Sequence, residues 1–214
     1  MKIVKLKYDK NPAWCNIFVD TGEFLKISTD IVLKYKLATG IDIDEDVFEA
    51  LSSEQSKINI RQAAYSFAAY KSRTMRQVID KLKRGGYSGD EIADAIEFLN
   101  NFALIDDQKF AGAFVRDYLL RKQVSKDKLK SELIRKGISS FLAIQAIEEN
   151  YPKENEYDYA LKCAQKRMIK IRNKPAPKQK PALASYLRIQ GYDADIIKYV
   201  IEDIFANSDS DLID

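Results

Sequence analysis

Leu133-Ile134-Arg135-Lys136-Gly137-Ile138-Ser139 decides the fold, because the chain writes this phrase three times. The other copies are Leu82-Lys83-Arg84-Gly85-Gly86-Tyr87-Ser88 and Leu187-Arg188-Ile189-Gln190-Gly191-Tyr192-Asp193, so the equivalent glycines stand 51 and 54 residues apart. Self-similarity at such a period marks one supersecondary unit repeated in tandem. Gly86, Gly137 and Gly191 are structural turns, placed where a helix should stop and the backbone turn left-handed, a region glycine enters without a Cβ penalty. The next residue is apolar each time (Tyr87, Ile138, Tyr192) and can fold back on the helix just ended. An N-cap residue follows, Ser88, Ser139 or Asp193, and Glu91 completes a capping box with Ser88.

Around each phrase the apolar residues fall at helical spacing. Val78, Ile79 and Leu82, then Leu129 and Leu133, then Leu183 and Leu187 give the preceding helix its inner face. Ile92, Ala95, Ile96 and Leu99, then Ala143, Ala146 and Ile147, then Ile196, Ile197, Val200, Ile201 and Phe205 do so for the following helix. A further helix opens each unit, around 63–71, 110–121 and 157–172. The unit is three helices, written three times. The glycine-rich Gly85-Gly86-Tyr87-Ser88-Gly89 is no phosphate loop, since it lacks the Lys-Ser/Thr pair and no strand-like run precedes it.

The predicted class is mostly α: three tandem three-helix, helix-turn-helix-like repeats in a curved elongated array, behind a small N-terminal β-hairpin and helix cap. The cap takes residues 1–59, the repeats 60–106, 107–155 and 156–206, and a frayed acidic tail 207–214. In the cap, Ile3–Lys7, Trp14–Val19 and Phe24–Ile27 read as strands, and Asp20-Thr21-Gly22-Glu23 is a hairpin turn signal. Thr29 or Asp30 should cap a helix carrying Ile31, Val32 and Tyr35 that ends near Gly40. Asp44 should cap the next, which runs through Leu51, Ile58 and Tyr65 toward Lys71. Tyr151-Pro152-Lys153 marks the second inter-repeat connection, and the prolines of Asn173-Lys174-Pro175-Ala176-Pro177 should make an exposed basic loop.

Composition narrows the function. The 214 residues include no histidine, which removes the commonest general acid/base and the commonest metal ligand. Cys15 and Cys163 form no metal-like spacing, and no signal-peptide core or membrane-length apolar run is present; reduced thiols in a cytoplasmic protein are expected. No catalytic residue, metal site or cofactor is expected. The net charge of +3 hides segregation: six carboxylates and no base in 42–54, eight bases and no acid in 162–180.

The candidate binding residues are basic. They are Arg73, Arg76, Lys83 and Arg84 in the first repeat, and Lys122, Lys126, Lys128 and Arg135 in the second. Lys166, Arg167, Lys170, Arg172 and Lys174 follow in the third. Arg76 with Lys83, and Lys128 with Arg135, are seven apart, so each pair should lie exposed on one helix face as matching stripes. Tyr157, Tyr159, Tyr186, Tyr192 and Tyr199 mostly fall on apolar stripes and read as core.

Ser72-Arg73-Thr74-Met75 leading to the first phrase, followed by Leu104-Ile105-Asp106-Asp107-Gln108-Lys109-Phe110-Ala111, resembles the first-repeat signature of the RecX family, bacterial regulators of the RecA recombinase. The likeness spans about residues 60–205 and includes the triple three-helix architecture; Ala103 departs from it, standing where a glycine is usual. The resemblance implies a non-enzymatic protein that binds RecA filaments on single-stranded DNA. It would limit their extension, ATP hydrolysis, strand exchange and coprotease activity, hence recombination, DNA repair and the SOS response. RecA filament and single-stranded DNA are the implied partners, with no membrane, and the chain is expected to be a monomer. Two other classes stay open: a direct DNA-binding helical protein acting without RecA, and a structural adaptor with no nucleic-acid role.

Overall fold

The computed structural model describes residues 1–152 and 156–210, which form two compact units, 1–71 with 78–104, and 72–77 with 105 onward. Among the described residues no helix is long and apolar enough to cross a membrane.

In the first unit, strands β1 (Ile3–Tyr8), β2 (Trp14–Val19) and β3 (Phe24–Ser28) pair antiparallel in that order, with a register shift between Ile3 and Lys5. The strand alternation buries Ile3, Cys15, Ile17, Val19 and Ile27 on one face, against Ile31, Val32, Leu37 and Leu51. Helix α1 (Thr29–Lys34) is capped by Ser28, not Thr29 or Asp30, and it ends well before Gly40. Lys36 takes a left-handed φ of 51°, and the Leu37 N–H returns to the Val32 carbonyl at 2.9 Å. A lysine gives no stop signal, so the sequence misplaces this end.

Helix α2 (Glu45–Tyr70) starts at Asp44 as expected and crosses residue 59 without a break. Its buried stripe is Leu51, Gln55, Ile60, Ala64 and Ala68, whereas Ile58 and Tyr65 are exposed. Gln55 tolerates burial because its amide is satisfied, accepting from the Ser28 N–H at 2.6 Å and donating to Asn59 at 2.8 Å. Small Ala64 and Ala68 are what a pattern of large apolar residues overlooks. Along α2 packs α4 (Gly89–Asn101), tied by the Arg61–Asp94 ion pair and a hydrogen bond from Ser56 to Glu91; α3 (Met75–Arg84) precedes it.

In the second unit, α5 (Asp107–Arg121), α6 (Lys126–Arg135) and α7 (Ser140–Asn150) form the second repeat. Helices α8 (Glu156–Ile171), α9 (Ala176–Ile189) and α10 (Ala194–Ser210) form the third. Each repeat has its own core, Val115, Leu129, Leu133 and Ile147 in one, Ile171, Leu183, Leu187 and Val200 in the other. Helix α10, anchored by buried Ile197 and Val200, runs to Ser210. Lys153 of the second connection and tail residues 211–214 lie outside the described residues.

The three repeated phrases adopt one geometry. Gly86, Gly137 and Gly191 have φ of 85°, 94° and 88°. Tyr87, Ile138 and Tyr192 each donate back to the leucine five residues earlier (Leu82, Leu133, Leu187) at 3.1–3.4 Å, which is the Schellman closure. Ile138 and Tyr192 are buried and Tyr87 is half-buried.

The phrase also joins one repeat to the next. In the second unit the Thr74 hydroxyl, at the start of α3, donates to the Lys136 carbonyl at 2.8 Å. The Met75 N–H donates to Asp107, the first residue of α5, at 2.8 Å. One repeat later the same joint recurs: the Ser125 N–H donates to the Gln190 carbonyl at 3.1 Å, and the Lys126 N–H to Glu156, the first residue of α8, at 3.3 Å. The joint is tight. A Cβ on Gly137 would overlap Arg76, lying 2.7 Å from its Cγ, and one on Gly191 would meet Ser125 Oγ at 2.5 Å and Lys128 Cβ at 2.9 Å.

Helix α9 starts differently. The expected exposed basic loop is present at 172–175 but is shorter than the proline stretch, since Pro175 stands at the N-cap position of α9 and Pro177 lies in its first turn. Among the four N–H positions that a helix start leaves unpaired, prolines hold two and so present no donor, and Lys178 donates to the Pro175 carbonyl at 2.8 Å.

Candidate nucleic-acid interface

Helix α5 ends at Lys122, where the backbone turns extended, and this leaves Arg121 and Lys122 at the mouth of a cleft between α5, α8 and α9. On α8, Lys166 and Lys170 are one turn apart and Arg167 is adjacent, so helical geometry brings three cations to one side. The cleft holds about 410 Å³ and gathers Arg121, Lys122, Lys166, Arg167 and Lys170 with no carboxylate on its lining. Five like charges with no carboxylate beside them set up a positive local field that attracts anions.

Two features fix the floor. The Arg167 guanidinium lies 4.7 Å from the Tyr186 ring centre, and its Nε is buried without a hydrogen-bond partner among the described residues. Stacking preorganises the planar fork, which suits it to phosphate. Beneath it Cys163 is buried, its thiol 3.4 Å from the Gln123 carbonyl, and burial pushes the thiol up from its usual range. The Tyr186 hydroxyl is likewise pushed up by burial.

The other predicted residues distribute differently. Lys83 and Arg84 are exposed at the C-terminal end of α3, where cations complement the helix dipole. Arg73 is half-buried, and Arg76 is exposed but lies against Gly137 in the joint. Lys126 sits 5.4 Å over the Tyr151 ring. Arg172 and Lys174 are exposed between α8 and α9.

The expected Lys128/Arg135 stripe needs correction. Glu132, only 8% exposed, lies between them, 3.8 Å from Lys128 Nζ and hydrogen-bonded to Arg135. Lys128 is half-buried beside Gly191 rather than exposed. One carboxylate, at i+4 from Lys128 and i−3 from Arg135, offsets one of the two positive charges and holds both side chains, so this stripe is not a free cationic face.

Among the aromatics, Tyr159 and Tyr192 are core, Tyr157 and Tyr186 are half-buried, and Tyr199 is 58% exposed. Arg121, Gln123 and Gln190 also line the cleft, as does Tyr186, which lies on a helical apolar stripe. Adjacency of Arg121 to Lys122 was the available signal for the first; nothing local marks the glutamines.

The comparisons agree on one family. Residues 61–99 match the family model described as RecX, first three-helix domain, and residues 106–147 match RecX, second three-helix domain. The regulatory protein RecX of Clostridium botulinum (strain Alaska E43 / Type E3) is 32% identical over 208 residues, covering 94% of this chain and 95% of that protein. That of Clostridium beijerinckii is 30% identical over 208 residues, covering 96% of each. A crystal structure of regulatory protein RecX superposes with a TM-score of 0.68 at 21% identity, covering 93% of this chain and 98% of the other, a likeness of fold.

Proposed function

The chain belongs to the RecX family, and from that premise we propose that it is a non-enzymatic regulator of RecA that binds RecA filaments on single-stranded DNA and restrains them. Restraint would act on filament extension, ATP hydrolysis, strand exchange and coprotease activity. The observation that carries this reading is the cleft of Arg121, Lys122, Lys166, Arg167 and Lys170, which no carboxylate lines. Such a cleft suits the phosphates of filament-bound DNA or the acidic surface of a protein partner, and attraction there speeds encounter and fixes orientation. Of the remaining basic candidates, Arg172 and Lys174 are exposed between α8 and α9 in the same unit as the cleft, while Lys83 and Arg84 are exposed cations of the first unit.

The test is the double reversal Lys166→Glu/Lys170→Glu, both exposed and free of ion pairs among the described residues. Circular dichroism should be unchanged, while inhibition of single-stranded-DNA-dependent ATP hydrolysis by RecA weakens by roughly ten-fold or more. The control is Glu148→Lys/Glu149→Lys on exposed positions of α7, which should inhibit as the parent does. A folded cleft variant that inhibits at parental strength would refute the assignment. Binding to DNA with no effect on RecA would favour the direct DNA-binding reading instead.

A further inference from the structure

The N-terminal sheet has a second face. Residues directly opposite in an antiparallel register share one side of the sheet. The register therefore places Lys5, Phe18 and Phe24 in one outward row, Lys7, Asn16 and Lys26 in the next, and Trp14 with Ser28 in a third. Alternate rows lie ~7 Å apart. Sheets with one solvated face ordinarily carry polar residues there. Here the central strand β2 presents two aromatic rings outward, and its neighbours supply lysines.

Phe18 and Phe24 stack at 5.9 Å between ring centres, and Phe24 is 63% exposed. Lys26 Nζ lies 5.5 Å over the Trp14 ring and 2.6 Å from Asp9, which also accepts from Asn16 at 2.8 Å. Lys5 and Lys7 are exposed and have no ion pair among the described residues. Asp9 compensates one of the three lysines, and the hairpin carboxylates Asp20 and Glu23 lie beyond the Phe18–Phe24 row. The face keeps a positive edge along β1.

We propose that this outer sheet face is a second nucleic-acid site, which takes single-stranded DNA or RNA by stacking bases on Phe24 and Phe18 while its phosphates meet Lys5 and Lys7 along β1. Flat aromatic faces flanked by lysines fit a polymer of alternating bases and phosphates, and stacking of this kind tolerates any sequence. A duplex hides its base faces and gains nothing from the rings. The inference goes beyond the RecA reading, because the site needs no recombinase and shares no residue with the cleft.

Trp14 is the single tryptophan of the chain and belongs to this face, so its fluorescence reports the site directly. A short oligothymidylate added to the full chain should change Trp14 emission saturably, and should still do so in the Lys166→Glu/Lys170→Glu variant. Phe24→Ala, at an exposed position, should weaken the oligonucleotide-induced change by roughly five-fold or more. Lys7→Glu should weaken it and lower its salt dependence. The proposal is overturned if saturating oligonucleotide, followed by anisotropy of a label on the DNA, leaves Trp14 unchanged. It is also overturned if heparin reproduces the change, or if Trp14 responds only to RecA protein, which would make the face a protein-docking surface. Failure here leaves the ATP hydrolysis test of the cleft untouched.

Discussion

Gly137 and Gly86 occupy equivalent places in two repeats, and substituting each by alanine separates backbone strain from joint packing. Both sit at positive φ, 94° and 85°, where an L-residue costs ~1–2 kcal/mol. Restricting the unfolded chain offsets part of that cost equally at the two sites, so it cancels in the comparison. Their surroundings differ. A Cβ on Gly86 has no neighbour within 4 Å, whereas one on Gly137 overlaps Arg76 at the joint. Overpacking of this kind costs ~1–3 kcal/mol. Gly86→Ala should therefore destabilise by at most about 1–2 kcal/mol, and Gly137→Ala by about 1–3 kcal/mol more than that. Native-state hydrogen exchange reads both locally, through the amides of Tyr87 and Ile138, which close the two turns. Arg76→Ala should not rescue Gly137→Ala, since the overlapping Cβ remains, whereas Arg76→Gly should recover part of the loss. Equal effects at Gly86 and Gly137 would refute the claim that the second glycine is held by the joint.

Other expectations follow from single sites. Ala103 closes α4 at a φ of 51°, with the Leu104 N–H returning to Leu99 at 3.0 Å, so Ala103→Gly should stabilise by ~0.5–1 kcal/mol in urea unfolding. Lys128→Glu/Arg135→Glu should destabilise markedly in the same assay, because it surrounds the buried Glu132 with like charge. Glu54, Glu91 and Asp94 have carboxyls held below their ordinary range, by Lys34, Ser56 and Arg61 respectively. A depressed folded pKa adds stability above the unfolded value of ~4 and loses it as pH falls through the folded value. Urea unfolding of the first unit, followed by Trp14 emission, should weaken below about pH 4, and a flat profile down to pH 3 would contradict this. Asp107, pushed up by burial, contributes with the opposite sign in the second unit.

What the sequence made legible was local. The three glycines, the apolar residue after each, the Ser88–Glu91 box and the Asp44 cap all encode geometry within a few residues, and the structure has them where periodicity put them. The family model boundaries fall on the same helices. Less was legible where partners are distant in the chain. Asp107 reads as a repeat opener, and only the fold reveals that it caps α3, 32 residues earlier. Glu132 vanished inside a basic run because charge counting ignores which acid sits between which bases. The cleft was half visible: Lys166, Arg167 and Lys170 announce themselves by helical spacing, while Tyr186 and Gln190 join them only through packing of α9. Lys36 and Ala103 turn left-handed without glycine, since the closing hydrogen bonds and the burial of Leu37 and Ile105 outweigh the strain.

The start of α9 bears on self-association. The first residues of α3 and α6 offer N–H donors that an acidic residue from a following repeat satisfies, and two chains exchanging those residues would be linked through them. Pro175 and Pro177 leave α9 with little to offer such a visitor, and Lys178 is already engaged. An array built from adhesive, directional joints thus carries one non-adhesive end, much as edge strands are blunted by proline in sheets. Replacing both prolines by serine and aspartate would restore the donors, and with them a route to head-to-tail oligomers at high concentration.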